Sequence, residues 1–198
     1  YPNVYLFNPN KIYLEKNKNA KVALVVPTVN LKNQWIDNFK KLDTELSIGE
    51  DPENQIYVTT YNGLCRKKNE YSQDKFDYIF VDEYQDTAEN VIKIINALSI
   101  YSEQINFNLF IGYFGDRAQN IYDTGVGSDI DEIHPNLVSV NKRFNRRSTK
   151  QVIEVINKIR NDHIEQISIY EDDDCGSVEF YQGSEDKIND FITRCKVD

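Results

Sequence analysis

Short, almost wholly apolar runs alternate with segments of helical period along this 198-residue chain, and that alternation restricts the fold more than any other feature. Val22–Val26 (VALVV), Ile56–Thr60 (IYVTT), Tyr78–Val81 (YIFV), Leu109–Phe114 (LFIGYF) and Leu137–Val140 (LVSV) are rich in β-branched and aromatic residues and read as strands. Runs with so little polar alternation suit strands covered on both faces, as in a parallel sheet. Between them, Leu31, Trp35, Phe39 and Leu42 share one helical face, and Val91, Ile94, Ile95 and Leu98 share another. Each stripe is expected to pack on the sheet, which predicts an α/β fold with Trp35 in the core. A third amphipathic helix is predicted over Ser148–Arg160, with Val152, Val155, Ile156 and Ile159 on its apolar side. Beyond the acidic run Glu171–Asp174 come a strand-like segment, Val178–Tyr181, and a last helix from about Ser184.

Composition removes several classes of function. With 40% hydrophobic and 28% charged residues the chain is an ordinary folded one. Cys65, Cys175 and Cys195 form no CxxC pair and leave an odd count, so neither a disulfide framework nor a zinc finger is suggested. No apolar stretch approaches the roughly 18 residues needed to cross a bilayer, and no secretory signal opens the chain, so a cytoplasmic protein without a membrane partner is expected. The formal net charge of -9 opposes non-specific attraction to nucleic acid, so any DNA contact must be local. The chain begins at Tyr1 and contains no Met, which suggests a piece of a longer protein. The acidic run lacks EF-hand spacing and reads as a solvated loop. His134 and His163 are isolated, with His163 expected at the surface.

The chemistry-bearing signal is Phe80-Val81-Asp82-Glu83-Tyr84-Gln85-Asp86-Thr87, an apolar strand running directly into two carboxylates. Strand ends are where α/β sheets bind ligands. There the first acid can hold Mg²⁺ through its water shell and the second can orient and deprotonate a water. A bare pair of acids at a strand end is more often a solvated turn. Two further strings follow in order: Gly115-Asp116-Arg117-Ala118-Gln119-Asn120-Ile121-Tyr122, again at a strand end, and Asn145-Arg146-Arg147-Ser148-Thr149 with Val152 and Asn157 behind it. The second lies in the densest basic cluster of the chain, Lys142, Arg143, Arg146, Arg147 and Lys150. Its plainer reading is a basic turn capped by Asn145 or Ser148.

Taken together these strings resemble the UvrD/Rep family of superfamily 1 DNA helicases: DEYQDT resembles its magnesium-and-base motif, GDRAQNIY its GDxxQSIY motif, and NRRST its NYRST motif. Weaker likenesses lie in Val25-Val26-Pro27-Thr28 and in Thr59-Thr60-Tyr61-Asn62-Gly63-Leu64, similar to the family's strand-contacting motifs. The resemblance implies a partial RecA-like, P-loop NTPase-type fold with helices on both faces of a parallel sheet. It divides the chain into a first motor domain over 1–141 and a linker, helix and start of a second over 142–198. It implies ATP and Mg²⁺ as cofactors and single-stranded DNA as partner. On this reading Asp82 holds the metal and Glu83 activates water. Gln119 senses the γ-phosphate, and Arg147 stabilises transition-state charge, with Arg143 the rival arginine. Asp82, Asp116 and Arg143 face the nucleotide, and Thr28, Thr60, Tyr61, Asn62 and Tyr122 face DNA.

The departures are equally definite. No GxxxxGK[ST] loop occurs, and Thr124 and Gly125 stand where the family usually has a base-stacking Trp and an Arg. These departures and the net charge leave open a helicase-derived binding module that does not hydrolyse ATP. A third alternative has Asp82, Glu83 and Asp116 share a metal as a nuclease or phosphotransfer site.

Overall fold

The computed structural model describes residues 19–41, 45–66, 76–120, 125–126, 130–160, 162, 164–170, 178, 182, 184, 188–189 and 192–193. Its strands are β1 (Val22–Val26), β2 (Ile48–Gly49), β3 (Ile56–Thr60), β4 (Tyr78–Asp82), β5 (Phe110–Phe114), β6 (Phe144–Asn145) and β7 (Ile167–Ser168). Its helices are α1 (Val29–Lys40), α2 (Tyr61–Arg66), α3 (Glu89–Gln104), α4 (Ile130–Ile133) and α5 (Lys150–Ile159). Two compact units divide the chain between Ser139 and Val140.

In the first unit the strands form one parallel sheet in the order β2-β3-β1-β4-β5. The side-chain period of two explains why its central strand is apolar throughout. Ala23 and Val25 of β1 point to a core shared with Leu64 of α2, Val91, Ile92 and Ile95 of α3, and Ile130 of α4. Val22, Leu24 and Val26 point the other way, onto Trp35, Ile36 and Phe39 of α1. Helices thus cover both faces, as the sequence predicts. Ile92, rather than Ile94, completes the buried face of α3 with Val91 and Ile95, while Leu31 packs at the rim of the α1 core and Leu42 lies outside the described residues.

Leu137–Val140 corrects the strand reading. It joins no ladder, and Val138 and Val140 are 88% and 81% exposed. β-propensity is realised only where a partner strand exists, and among the described residues this run has none, although Leu137 packs against the core. The fifth strand is instead the two-residue β2 at the far edge.

The second unit holds a parallel two-stranded ladder, β6-β7, and α5. Here too the periodic stripe misleads: Ile153 is the buried residue of α5, while Ile159 is 76% exposed. Spacing marks an apolar face, but burial needs something to cover it. Val178 is exposed and not in a strand, the rest of Val178–Tyr181 and the acidic run lie outside the described residues, and the last helix appears at Ile188–Asn189 and Ile192–Thr193. Cys65 is free and exposed; Cys175, Cys195 and His163 also lie outside the described residues. No described helix is long and apolar enough to cross a membrane.

His134, isolated in sequence, is buried against Tyr113, whose hydroxyl lies 2.8 Å from Nδ1. Burial holds its imidazole below the ordinary histidine range, partly opposed by the charge of Glu103. The folded state therefore takes up this proton less readily than the unfolded chain, so the contribution is complete above about pH 6.5 and is lost as pH falls. Melting temperature should drop between pH 7.5 and 5.5, and His134→Phe should flatten that dependence. An unchanged slope in the variant would contradict the assignment.

Candidate functional site

Parallel strands deliver the candidate residues to one edge of the first unit. Val26 of β1 pairs with Thr60 of β3, and Asp82 of β4 pairs with Phe114 of β5, so the carboxyl ends of four strands stand side by side. Neighbours in such a sheet are about 4.8 Å apart. Thr28 follows β1, Thr60 and Asp82 close β3 and β4, and Asp116 follows β5.

The turn after β4 is built around a strained residue. Glu83 adopts φ 51° and ψ 47°, one of three positive-φ residues other than glycine among those described; the others are asparagines, which tolerate this region. For glutamate the conformation costs roughly 1–3 kcal/mol and persists only where its surroundings dictate it. Those surroundings are on view. Glu83 N–H donates to Asp82 Oδ1 at 3.2 Å, and Asp86 N–H donates to the Glu83 carbonyl at 3.0 Å. The Tyr61 hydroxyl donates to the Asp82 carbonyl at 2.7 Å, and Gln85 Nε2 donates to Glu83 Oε2 at 2.7 Å.

Gln85 also joins this turn to the next one. It is 1% exposed, and its Oε1 accepts from Asp116 N–H at 3.2 Å. Asp116 in turn caps the short 3-10 turn Arg117–Gln119, accepting from Ala118 N–H at 3.1 Å and from Gln119 Nε2 at 3.0 Å. Hydrogen bonds therefore run from Glu83 through Gln85 and Asp116 to Gln119. A second tie lies alongside, where Arg117 Nε donates to the Tyr84 hydroxyl at 3.2 Å and its other end pairs with Asp131. Gly115 makes the approach possible: a Cβ there would lie 2.1 Å from Gln85 Oε1.

Asp82 carries a different constraint. Its Oδ2 accepts from the indole Nε1–H of Trp35 at 2.9 Å. Burial raises the carboxyl above the ordinary carboxylate range; the Trp35 hydrogen bond opposes this and the Glu83 charge adds to it. A half-buried carboxylate at a strand end, with lone pairs remaining on both oxygens, fits a hard cation that keeps most of its own waters, the binding mode of Mg²⁺. It does not fit a cage of protein ligands: among the described residues no three His, Cys, Asp or Glu side chains converge to hold a metal. The three-acid site is thereby corrected, because Asp116 turns its carboxylate onto its own 3-10 turn.

At the neighbouring strand ends, Thr28 Oγ1 accepts from Leu31 N–H at 3.2 Å and caps α1, while Thr60 Oγ1 accepts from Gly63 N–H at 3.1 Å. Asn62 is exposed on α2, and Tyr122 lies outside the described residues. Tyr61 is half-buried with its hydroxyl committed to the acidic turn, and burial holds its ionisation above the ordinary tyrosine range.

In the second unit, Asn145 Oδ1 accepts from both Arg147 N–H and Ser148 N–H, at 2.9 and 3.0 Å, so Asn145 shapes the basic turn as a cap would. Asn157 braces it from α5 by exchanging two 2.9 Å hydrogen bonds with the Gln166 backbone. Arg143 is spent on Glu165, through the carbonyl at 3.1 Å and the carboxylate at 3.4 Å. Arg147 is exposed, and among the described residues its guanidinium makes no hydrogen bond or ion pair.

Residues 6–109 match the family described as type III restriction enzyme, res subunit. The chain belongs to that family. Its relatives include Gabija protein GajB of Bacillus cereus (strain HuB5-5), 61% identical over 121 residues, covering 61% of this chain and 18% of GajB. More distant are a probable DNA helicase II homolog of Mycoplasma capricolum, 32% identical over 111 residues (52% of this chain, 14% of the relative), and the ATP-dependent DNA helicase PcrA of Leuconostoc citreum, 31% identical over 101 residues (48% and 13%). The chain spans less than a fifth of the length of these relatives. It is a helicase-type α/β domain, with its stronger likeness to GajB than to the UvrD/Rep group that its motifs suggest.

Replacing Gly115 tests the joint between the two turns. Gly115→Ala must displace the Gln85 amide, so urea denaturation should show a loss of about 1–3 kcal/mol. An unaltered midpoint would mean that the turns are not packed this tightly.

Proposed function

We propose that this domain is part of an ATP-dependent DNA helicase or translocase of the UvrD/Rep type, coupling Mg-ATP hydrolysis to movement on single-stranded DNA. The observation that carries the reading is the hydrogen-bonded path from Glu83 through Gln85 and Asp116 to Gln119. It links the carboxylate suited to activating water with the amide suited to contacting a terminal phosphate.

Asp82 would hold Mg²⁺ through the ion's water shell, where Mg²⁺ would supply neutralisation of phosphate charge. Glu83, aimed by its left-handed backbone and the Gln85 amide, accepts the proton of the attacking water. Gln119 contacts the γ-phosphate at the cost of its hydrogen bond to Asp116, so phosphate occupancy is communicated along the same path to Gln85. Arg147 supplies a permanently charged planar fork for the transition state. Arg143, engaged with Glu165, is the weaker candidate. Thr28 and Thr60, whose oxygens accept from backbone N–H groups, retain hydroxyl hydrogens to donate to DNA phosphates, and Asn62 stands exposed beside Thr60.

The sequence contains no GxxxxGK[ST] string to cradle the phosphates, so the 198-residue chain alone should hydrolyse ATP no faster than background. In the full-length gene product, DNA-stimulated hydrolysis is expected. There Glu83→Gln should lower kcat by about 10²–10⁴ while nucleotide still binds, and Arg147→Ala should lower it by about 10³ or more. A full-length protein that binds DNA but hydrolyses no ATP would favour the alternative, a helicase-derived binding module. Variants with unaltered kcat would remove the assigned roles.

A further inference from the structure

We infer that Trp35 is a positioning residue that sets the Asp82 carboxylate from helix α1, so that the helix capped by Thr28 is tied directly to the metal-binding acid. The inference rests on the Mg²⁺ role proposed for Asp82.

Trp35 is the only tryptophan of the chain, it is 5% exposed, and its ring stacks on Phe39 with centroids 5.3 Å apart. Its position in the core of α1 accounts for the ring. It does not account for the partner. A buried indole has one N–H to satisfy, and any backbone carbonyl would serve. Here that donor is given to a carboxylate 47 residues away in sequence, at 2.9 Å, on the strand end where the acid pair emerges. Asp82 gains a fixed rotamer: Oδ2 is pinned by the indole and Oδ1 by Glu83 N–H. The second bond comes from the adjacent residue and would follow the side chain in several orientations. The first comes from another element and would not.

The same bond gives α1 a lever on the site. Trp35 lies seven residues beyond the Thr28 cap, about 10 Å along the helix axis. A shift of α1 that starts at its capped end therefore acts on Oδ2 through a single contact, without passing through the sheet.

Because the chain has one tryptophan, its indole gives one ¹H–¹⁵N signal, which is the test. Titrating the 198-residue chain with MgCl₂ should move that signal saturably, and Asp82→Asn should abolish the movement. Mn²⁺ affinity, read by electron paramagnetic resonance, should fall about tenfold in Trp35→Phe, which keeps an aromatic ring but removes the charge-assisted hydrogen bond. It should change less than twofold in Phe39→Leu, which disturbs the same core and keeps the bond. If the ion binds through Asp82 while the indole signal stays still, or Trp35→Phe binds as tightly as the parent, or Phe39→Leu weakens binding equally, the positioning role is overturned and the metal assignment stands. If no ion binding depends on Asp82, the metal assignment itself fails. The indole titration needs no variant that must first fold.

Discussion

The amide of Gln85 holds together the part of this molecule on which its chemistry depends. Buried at a strand end, it satisfies its donor with a carboxylate on one side and its acceptor with a backbone N–H on the other. Glu83 and Asp116 provide them. Leaving such a buried amide unpaired costs about 1–3 kcal/mol, comparable to the strain carried by Glu83. The left-handed glutamate, the missing Cβ at Gly115 and the closure of one turn on the next are three expressions of that constraint.

A second constraint crosses the sheet. The β1–α1 unit and β4 meet in the Trp35 core, and the meeting ends in a hydrogen bond to Asp82 rather than in apolar contact alone. The acid pair is thus gripped from both faces: Asp82 by α1 on one, and the peptide after it by Tyr61 of α2 on the other. Thr28 and Thr60, whose side chains accept from the first-turn N–H groups of α1 and α2, lie in the two strings that resemble strand-contacting motifs.

Much of this was legible in sequence, and the boundary of legibility is physical. β1 and β3 fall on Val22–Val26 and Ile56–Thr60 as read, since an apolar run buried on both faces is hard to mistake. Asp82 and Glu83 stood out because they belong to the longer string DEYQDT at the end of such a run; a bare acid pair there would read as a solvated turn. Leu137–Val140 failed because four strand-prone residues do not carry their own partner. The role of Gln85, the turn of Tyr61 toward the Asp82 carbonyl and the use of the Trp35 N–H were out of reach for a different reason. Their partners lie 31, 21 and 47 residues away, and spacing along the chain holds no record of which distant groups the sheet brings together. The string that contains Gln85 was the one available signal. Gln119, expected to be presented to the nucleotide, is found turned onto Asp116.

Joined through Gln85, the acidic turn after β4 and the 3-10 turn after β5 should respond to nucleotide as one unit. Amide hydrogen exchange of the full-length protein, with and without a non-hydrolysable ATP analogue and Mg²⁺, addresses it most directly. Residues 82–87 and 115–120 should gain protection together and at the same nucleotide concentration. Protection of one turn without the other, or of neither while the analogue is bound elsewhere, would contradict it.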